Sequence, residues 1–115
     1  MKEMILKESA DTVKINFWGK LDPAEIEKMF EKWATFFPPG EKCKVIIDAS
    51  ELEDIPPKSR ETLRKGGSKF LMSKLAVFGA STKIRIMGNL IIKMLPNVDD
   101  SLFVKTEDEA RDWLK

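Results

Sequence analysis

Val45, Ile46 and Ile47 put β-branched apolar side chains at consecutive positions, not alternate ones. A strand of that kind must be covered on both faces, so it belongs at the centre of a sheet packed between helices. Pro38-Pro39-Gly40 precedes it and an acidic, proline-bearing stretch follows. The predicted strand ends at Asp48-Ala49-Ser50, on the edge where open α/β sheets commonly place their sites. Leu75-Ala76-Val77-Phe78-Gly79 has the same continuous apolar character and predicts a second central strand, parallel to the first.

The remaining segments assemble around this pair. Met4–Lys7 and Thr12–Leu21 predict a β-hairpin. In the second arm Val13, Ile15 and Phe17 alternate with Thr12, Lys14 and Asn16, while Trp18 falls on the polar side, where it shields an edge or meets a partner. Asp22 and Pro23 open a helix, with Glu25 at capping-box spacing and Leu21 and Ile26 placed as a hydrophobic staple. Its buried stripe is Ile26, Met29, Phe30, Trp33 and Phe37. A basic helix is expected from about Lys58 to Met72, weakened by Gly66-Gly67 unless close packing exploits the missing side chains. Ser101–Lys105 predicts a short last strand. Thr106–Leu114 predicts a last helix, opened by the pair Thr106 and Glu109 and docked through Ala110, Trp113 and Leu114.

Thr82–Leu95 is the unusual element. Ile84, Met87, Ile91, Met94 and Leu95 form an inward stripe, Ile86 and Leu90 extend it on one flank, and Ile92 extends it on the other. The apolar arc exceeds the roughly 100° that a surface helix needs. Ile86, Leu90 and Ile92 are therefore the candidate surface for a partner or ligand. The order of elements is ββαβαβαβα, which gives an α/β fold with a mixed sheet, about four helices and a single domain over residues 1–115.

The 115 residues carry a net charge of +1 that is unevenly spread. Between Lys58 and Lys93 stand nine lysines and arginines against Glu61 alone, so that segment carries +8 and the remainder −7. Two readings are open: an anion-binding surface, with Arg64, Lys65, Lys69 and Ser81 as candidates, or solvated helix faces balanced by the acidic helices in space. The chain contains no histidine and no tyrosine, which removes the usual general base, the Ser-His and Cys-His nucleophile pairs and histidine zinc sites. Cys43 is alone and reads as a small half-buried residue in a reducing compartment. Gly79-Ala80-Ser81-Thr82-Lys83 sits between strand and helix but lacks the Gly-Lys-Ser/Thr ending of a phosphate loop. Ser81 either caps the helix or helps its N-terminus hold an anion. Asp48, Glu51, Glu53 and Asp54 suit a solvated loop better than a cation site. No enzyme, cofactor, metal or nucleic-acid partner is expected. With neither a signal-peptide pattern nor a run of ~18 apolar residues, the expected location is cytoplasmic.

Four stretches together carry a resemblance: Gly19-Lys20-Leu21-Asp22, Val45-Ile46-Ile47-Asp48-Ala49, Lys74-Leu75-Ala76-Val77-Phe78-Gly79, and Phe103 through Leu114. The chain resembles the STAS domains of sulfate transporters and anti-sigma-factor antagonists, and most closely the SpoIIAA-like (STAS-like) family. The resemblance implies a non-enzymatic binding or regulatory module that works through protein contact, including self-association. It also implies a fold relation to CRAL-TRIO lipid-transfer domains, hence an alternative ligand class of lipids or amphipathic anions. In phospho-switched antagonists a serine precedes the second helix. Here Lys58 stands at about that position, and the neighbouring Ser59 is the regulatory candidate.

Overall fold

A computed structural model describes residues 3–115. Five strands form one sheet: β1 (Ile5–Lys7), β2 (Thr12–Lys20), β3 (Lys42–Asp54), β4 (Leu71–Phe78) and β5 (Ser101–Val104). The helices are α1 (Pro23–Phe36), α2 (Pro57–Gly67), α3 (Thr82–Lys93) and α4 (Glu107–Leu114). The observed order is the expected ββαβαβαβα. The spatial order of the strands is also their chain order, with β1 antiparallel to β2 and every later pair parallel. Each parallel connection must cross over in the right-handed sense, and the sheet never reverses direction, so α1, α2 and α3 share one face. The same lack of reversal leaves no switch-point crevice beside Asp48.

Most of the core lies between β2–β4 and those three helices. Val13, Ile15, Val45, Leu75 and Val77 meet Ile26, Met29, Trp33 and Ile84 there. On the opposite face, among the described residues, α4 alone provides cover, with Ala110 and Leu114 buried on Ile46, Ala76 and Phe78. The continuous run of β3 is thus buried on both sides, as its pattern requires. Thr106 caps α4 by accepting from the Glu109 N–H at 3.2 Å, and its hydroxyl donates to Glu109 Oε1. Arg111 then ties α4 to the β1–β2 turn: its guanidinium grips both oxygens of Glu8 at 2.7 Å and also meets Glu107. Lys74 donates to the Trp113 carbonyl and sits 5.2 Å over the Trp113 ring.

Several expectations need correction. Asp22 precedes α1 but its side chain makes no cap hydrogen bond, leaving Pro23 as the start signal. β3 does not end at Ser50. It runs on to Asp54 because β2 continues beside it, pairing Trp18 with Glu51 and Lys20 with Asp54 across two register shifts. α2 ends at Gly67, and β4 begins at Leu71, because Phe70 turns inward instead of extending the helix. Its ring stacks on Trp33 at 4.5 Å and on Phe30 at 5.7 Å. The glycine pair does exploit close packing, though against a helix and not a strand. A Cβ on Gly66 would stand 2.2 Å from the Phe30 ring of α1.

Candidate functional site

Only Ile84 of α3 is fully buried. Met87, Ile91, Ile92 and Leu95 are half-buried and pack on the core. Ile91, Ile92 and Leu95, with Ile15, Val77, Phe103 and others, line an apolar cavity of about 90 Å³ beneath the helix. Ile92 therefore belongs to the core side of α3 and not to an outer surface, because its side of the helix overlies Phe103. Met94 departs in the opposite sense. It caps the helix C-terminus and is 63% exposed where an inward position was expected.

Ile86 and Leu90 are 59% and 61% exposed, so no other helix among the described residues wraps this flank. Beside them the sheet ends. β5 pairs with β4 on one side, and no strand among the described residues pairs with its other side. A groove runs between the two elements, with Ser101, Leu102 and Phe103 on the strand and Arg85, Ile86, Asn89 and Leu90 on the helix. Leu102 is 38% exposed. The backbone polarity of the edge follows from the ladder. Leu75 N–H donates to Asp100 O and Gly79 N–H to Val104 O, so even-numbered residues of β5 turn their amide groups to β4. The amide groups of Ser101 and Phe103 consequently face outward, and the Asp100 carboxylate accepts from the Ser101 N–H at 2.9 Å. The sequence reading found Ile86 and Leu90 but missed this edge. The signal was available, since Ser101-Leu102-Phe103-Val104 lacks the lysine or proline that usually guards an edge strand.

The basic candidates do not converge with Ser81. Lys65 and Lys69 stand near the end of α2 that feeds β4, whereas Ser81 follows the far end of β4. Lys65 pairs with Glu61 at 3.0 Å, and Glu27 and Glu31 of α1 line the same α1–α2 groove as Lys58, Lys65 and Lys69. Arg64 is half-buried on the same helix. Lys83 pairs with Asp54 at 3.2 Å, and that hydrogen bond holds the Asp54 carboxyl below its ordinary range. The excess positive charge of the sequence is thus interleaved with carboxylates in space. Ser81 caps α3 by accepting from the Ile84 N–H.

Ser59 is fully buried, and its hydroxyl donates to the Leu21 carbonyl at 2.6 Å, fastening α2 to the start of α1. Phosphoryl transfer to it would require that bond to break and the helix to lift. Cys43 is buried too. Burial pushes its thiol up to about 11, an effect the neighbouring Trp33 indole opposes, so the nucleophilic thiolate is scarce at neutral pH. Asp48 accepts from both the backbone N–H and the hydroxyl of Ser50, where β3 shifts register against β2. Gly79 adopts φ +77° there, and a Cβ on it would approach Ser50 within 2.8 Å. Among the described residues no three Cys, Asp or Glu side chains gather as metal ligands do, and no helix is long and apolar enough to cross a membrane.

Comparison with known proteins agrees with this architecture. The model of the SpoIIAA-like family matches residues 12–115. An uncharacterised protein from Shewanella loihica PV-4, of the DUF3478 family and described as having a SpoIIAA-like fold, superposes with a TM-score of 0.70. It shares 19% identity over 96% of this chain and 90% of its own. The anti-sigma factor antagonist SpoIIAA in its unphosphorylated form superposes with a TM-score of 0.63, also at 19% identity, over 96% of this chain and 93% of its own. No curated protein matches the sequence.

Proposed function

The chain belongs to the SpoIIAA-like family, and from that premise we propose that it is a non-enzymatic binding or regulatory module whose contact surface is the Ile86/Leu90 flank of α3. The observation that carries this reading is the exposure of both side chains, about 60% each, next to an open sheet edge. Monomers rarely leave such apolar groups contiguous. The similarity in fold to an anti-sigma factor antagonist supports protein contact as the mode of action, because such a protein works by binding. The chemistry supports it as well, since the chain has no histidine or tyrosine and its one thiol is buried with a raised pKa.

The test is Ile86→Glu combined with Leu90→Lys. Both positions are exposed, so the variant should keep the wild-type melting temperature within a few degrees while losing self-association or capture of its partner. A variant that associates as the wild type does would refute the reading.

A second reading rests on the apolar cavity beneath α3. It has room for a few methyl groups as it stands, and α3 is held over it by half-buried contacts. In that reading the protein carries or senses a lipid or amphipathic anion, with Arg64 and Lys65 of α2 and Lys69 just after it as the basic group. Native mass spectrometry of the purified protein separates the two readings: a co-purified apolar ligand supports the second, and a bare chain that self-associates supports the first.

A further inference from the structure

We infer that the occupant of the β5 edge is β5 of a second copy of this chain, paired antiparallel about a two-fold axis through Leu102. This inference rests on the protein-contact reading of the α3 flank and specifies its geometry.

Four features of the edge fit a copy of itself. The outward amide groups belong to Ser101 and Phe103, the residues either side of Leu102. In an antiparallel self-pairing centred on Leu102, Ser101 of each copy lies opposite Phe103 of the other. The two pairs exchange both N–H···O bonds, giving four in all, once the Asp100 carboxylate releases the Ser101 N–H. Leu102 then meets its own counterpart in the close, non-hydrogen-bonded position and loses its exposure.

Charge is complementary in the same arrangement. Asp99 and Asp100 stand where β5 begins and the exposed Lys105 where it ends. Antiparallel pairing brings the beginning of each strand to the end of the other, so each acidic pair faces a lysine, twice by symmetry. A parallel arrangement would set acid against acid and lysine against lysine.

The groove wall completes the match. A two-fold axis perpendicular to the sheet keeps both α3 helices on the same face, where Ile86 and Leu90 of each copy border the groove along β5, while the side chain of Leu102, in register with Ala76, stands on the α4 face. The exposed parts of Ile86 and Leu90 on one face and of Leu102 on the other flank the paired strands, so apolar surface is covered on both sides of the new ladder. Arg85, Asn89 and the charged strand ends form its polar rim. The opposite edge of the sheet is less suited. β1 spans three residues, and Lys7 in it lies over the Phe37 ring.

The experiment is the oligomeric state by light scattering at about 100 µM, with Leu102→Cys as the positional probe. Opposed residues in a non-hydrogen-bonded pair have Cα atoms about 4.5 Å apart, close enough for a disulfide. Mild oxidation of Leu102→Cys should join most chains within minutes through position 102, while the buried Cys43 stays reduced. Lys105→Glu should weaken the wild-type dimer about tenfold, with less effect at high salt. A dimer that shows no cross-link through position 102, or is indifferent to Lys105→Glu, overturns the strand pairing. The α3 reading is then judged separately by the Ile86→Glu/Leu90→Lys variant. A wild-type monomer at this concentration overturns self-pairing, and the flank is then assigned to a different partner.

Discussion

Replacing Gly66 by alanine sets two opposing effects against each other on one methyl group. Alanine is the better helix former by about 0.5–1 kcal/mol, so propensity alone favours Gly66→Ala inside α2. The structure argues the other way. The new Cβ would fall 2.2–2.3 Å from two Phe30 ring carbons, far inside van der Waals contact. Phe30 cannot simply swing aside, because its ring is stacked on both Trp33 and Phe70, which are themselves buried. Overpacking of this kind costs about 1–3 kcal/mol. The net expectation is a loss of about 1–2 kcal/mol, which lowers the melting temperature by roughly 5–10 °C in a domain of this size. Thermal unfolding followed by circular dichroism, with urea titration for the free energy, measures it. The double variant with Phe30→Leu removes the obstructing ring. It should therefore show a favourable coupling of at least about 0.5 kcal/mol relative to the sum of the single changes. A melting temperature for Gly66→Ala equal to or above the wild type would show that propensity wins, and that the α1–α2 contact is not limited by the missing side chain.

Ser59→Ala leaves the buried Leu21 carbonyl without its donor and should cost about 1–3 kcal/mol in urea unfolding, while Ser59→Asp should unfold the chain outright. The Arg111 hydrogen bonds hold the Glu8 carboxyl below its ordinary value of 4.5, so its stabilisation is complete above that pH and fades as pH falls through the lowered folded value. Arg111→Gln should accordingly flatten the acid limb of the stability profile, and an unchanged limb would refute the role given to this pair. With its thiol raised to about 11, Cys43 should resist iodoacetamide at pH 8 in the native protein and react readily in urea, as mass spectrometry of the alkylated chain will show.

The sheet was legible because its signals are local and redundant. Consecutive apolar residues in β3 and β4, alternation in β2 and the Thr106 cap each point to one structure. Where the reading slipped, a distant contact outweighed the local pattern. Phe70 looks like the next turn of a helix, yet its affinity is for Trp33 across the core, and α2 stops to deliver it. Met94 fits the inward stripe on a regular wheel, but α3 ends at Lys93 and the phase is lost one residue later. The basic segment left two readings open in one dimension, and only the fold shows which carboxylates stand beside it, because Glu27, Glu31 and Asp54 arrive from other elements. The candidate surface was half visible. Ile86 and Leu90 follow from helical spacing, whereas the outward amides of Ser101 and Phe103 depend on which neighbour β5 takes.

A sheet whose spatial order is its chain order can be assembled by simple addition as the polypeptide is made, each strand docking on the one synthesised just before it. The helix face closes progressively with α1, α2 and α3, but the other face has to wait for α4, which follows all five strands. Until then a nascent chain presents Ile46, Ala76 and Phe78 bare on a sheet that is otherwise formed. The docking of α4 is therefore what converts a sticky intermediate into a closed fold, and removing that helix should flag the molecule to chaperones and proteases more than it disturbs the sheet itself.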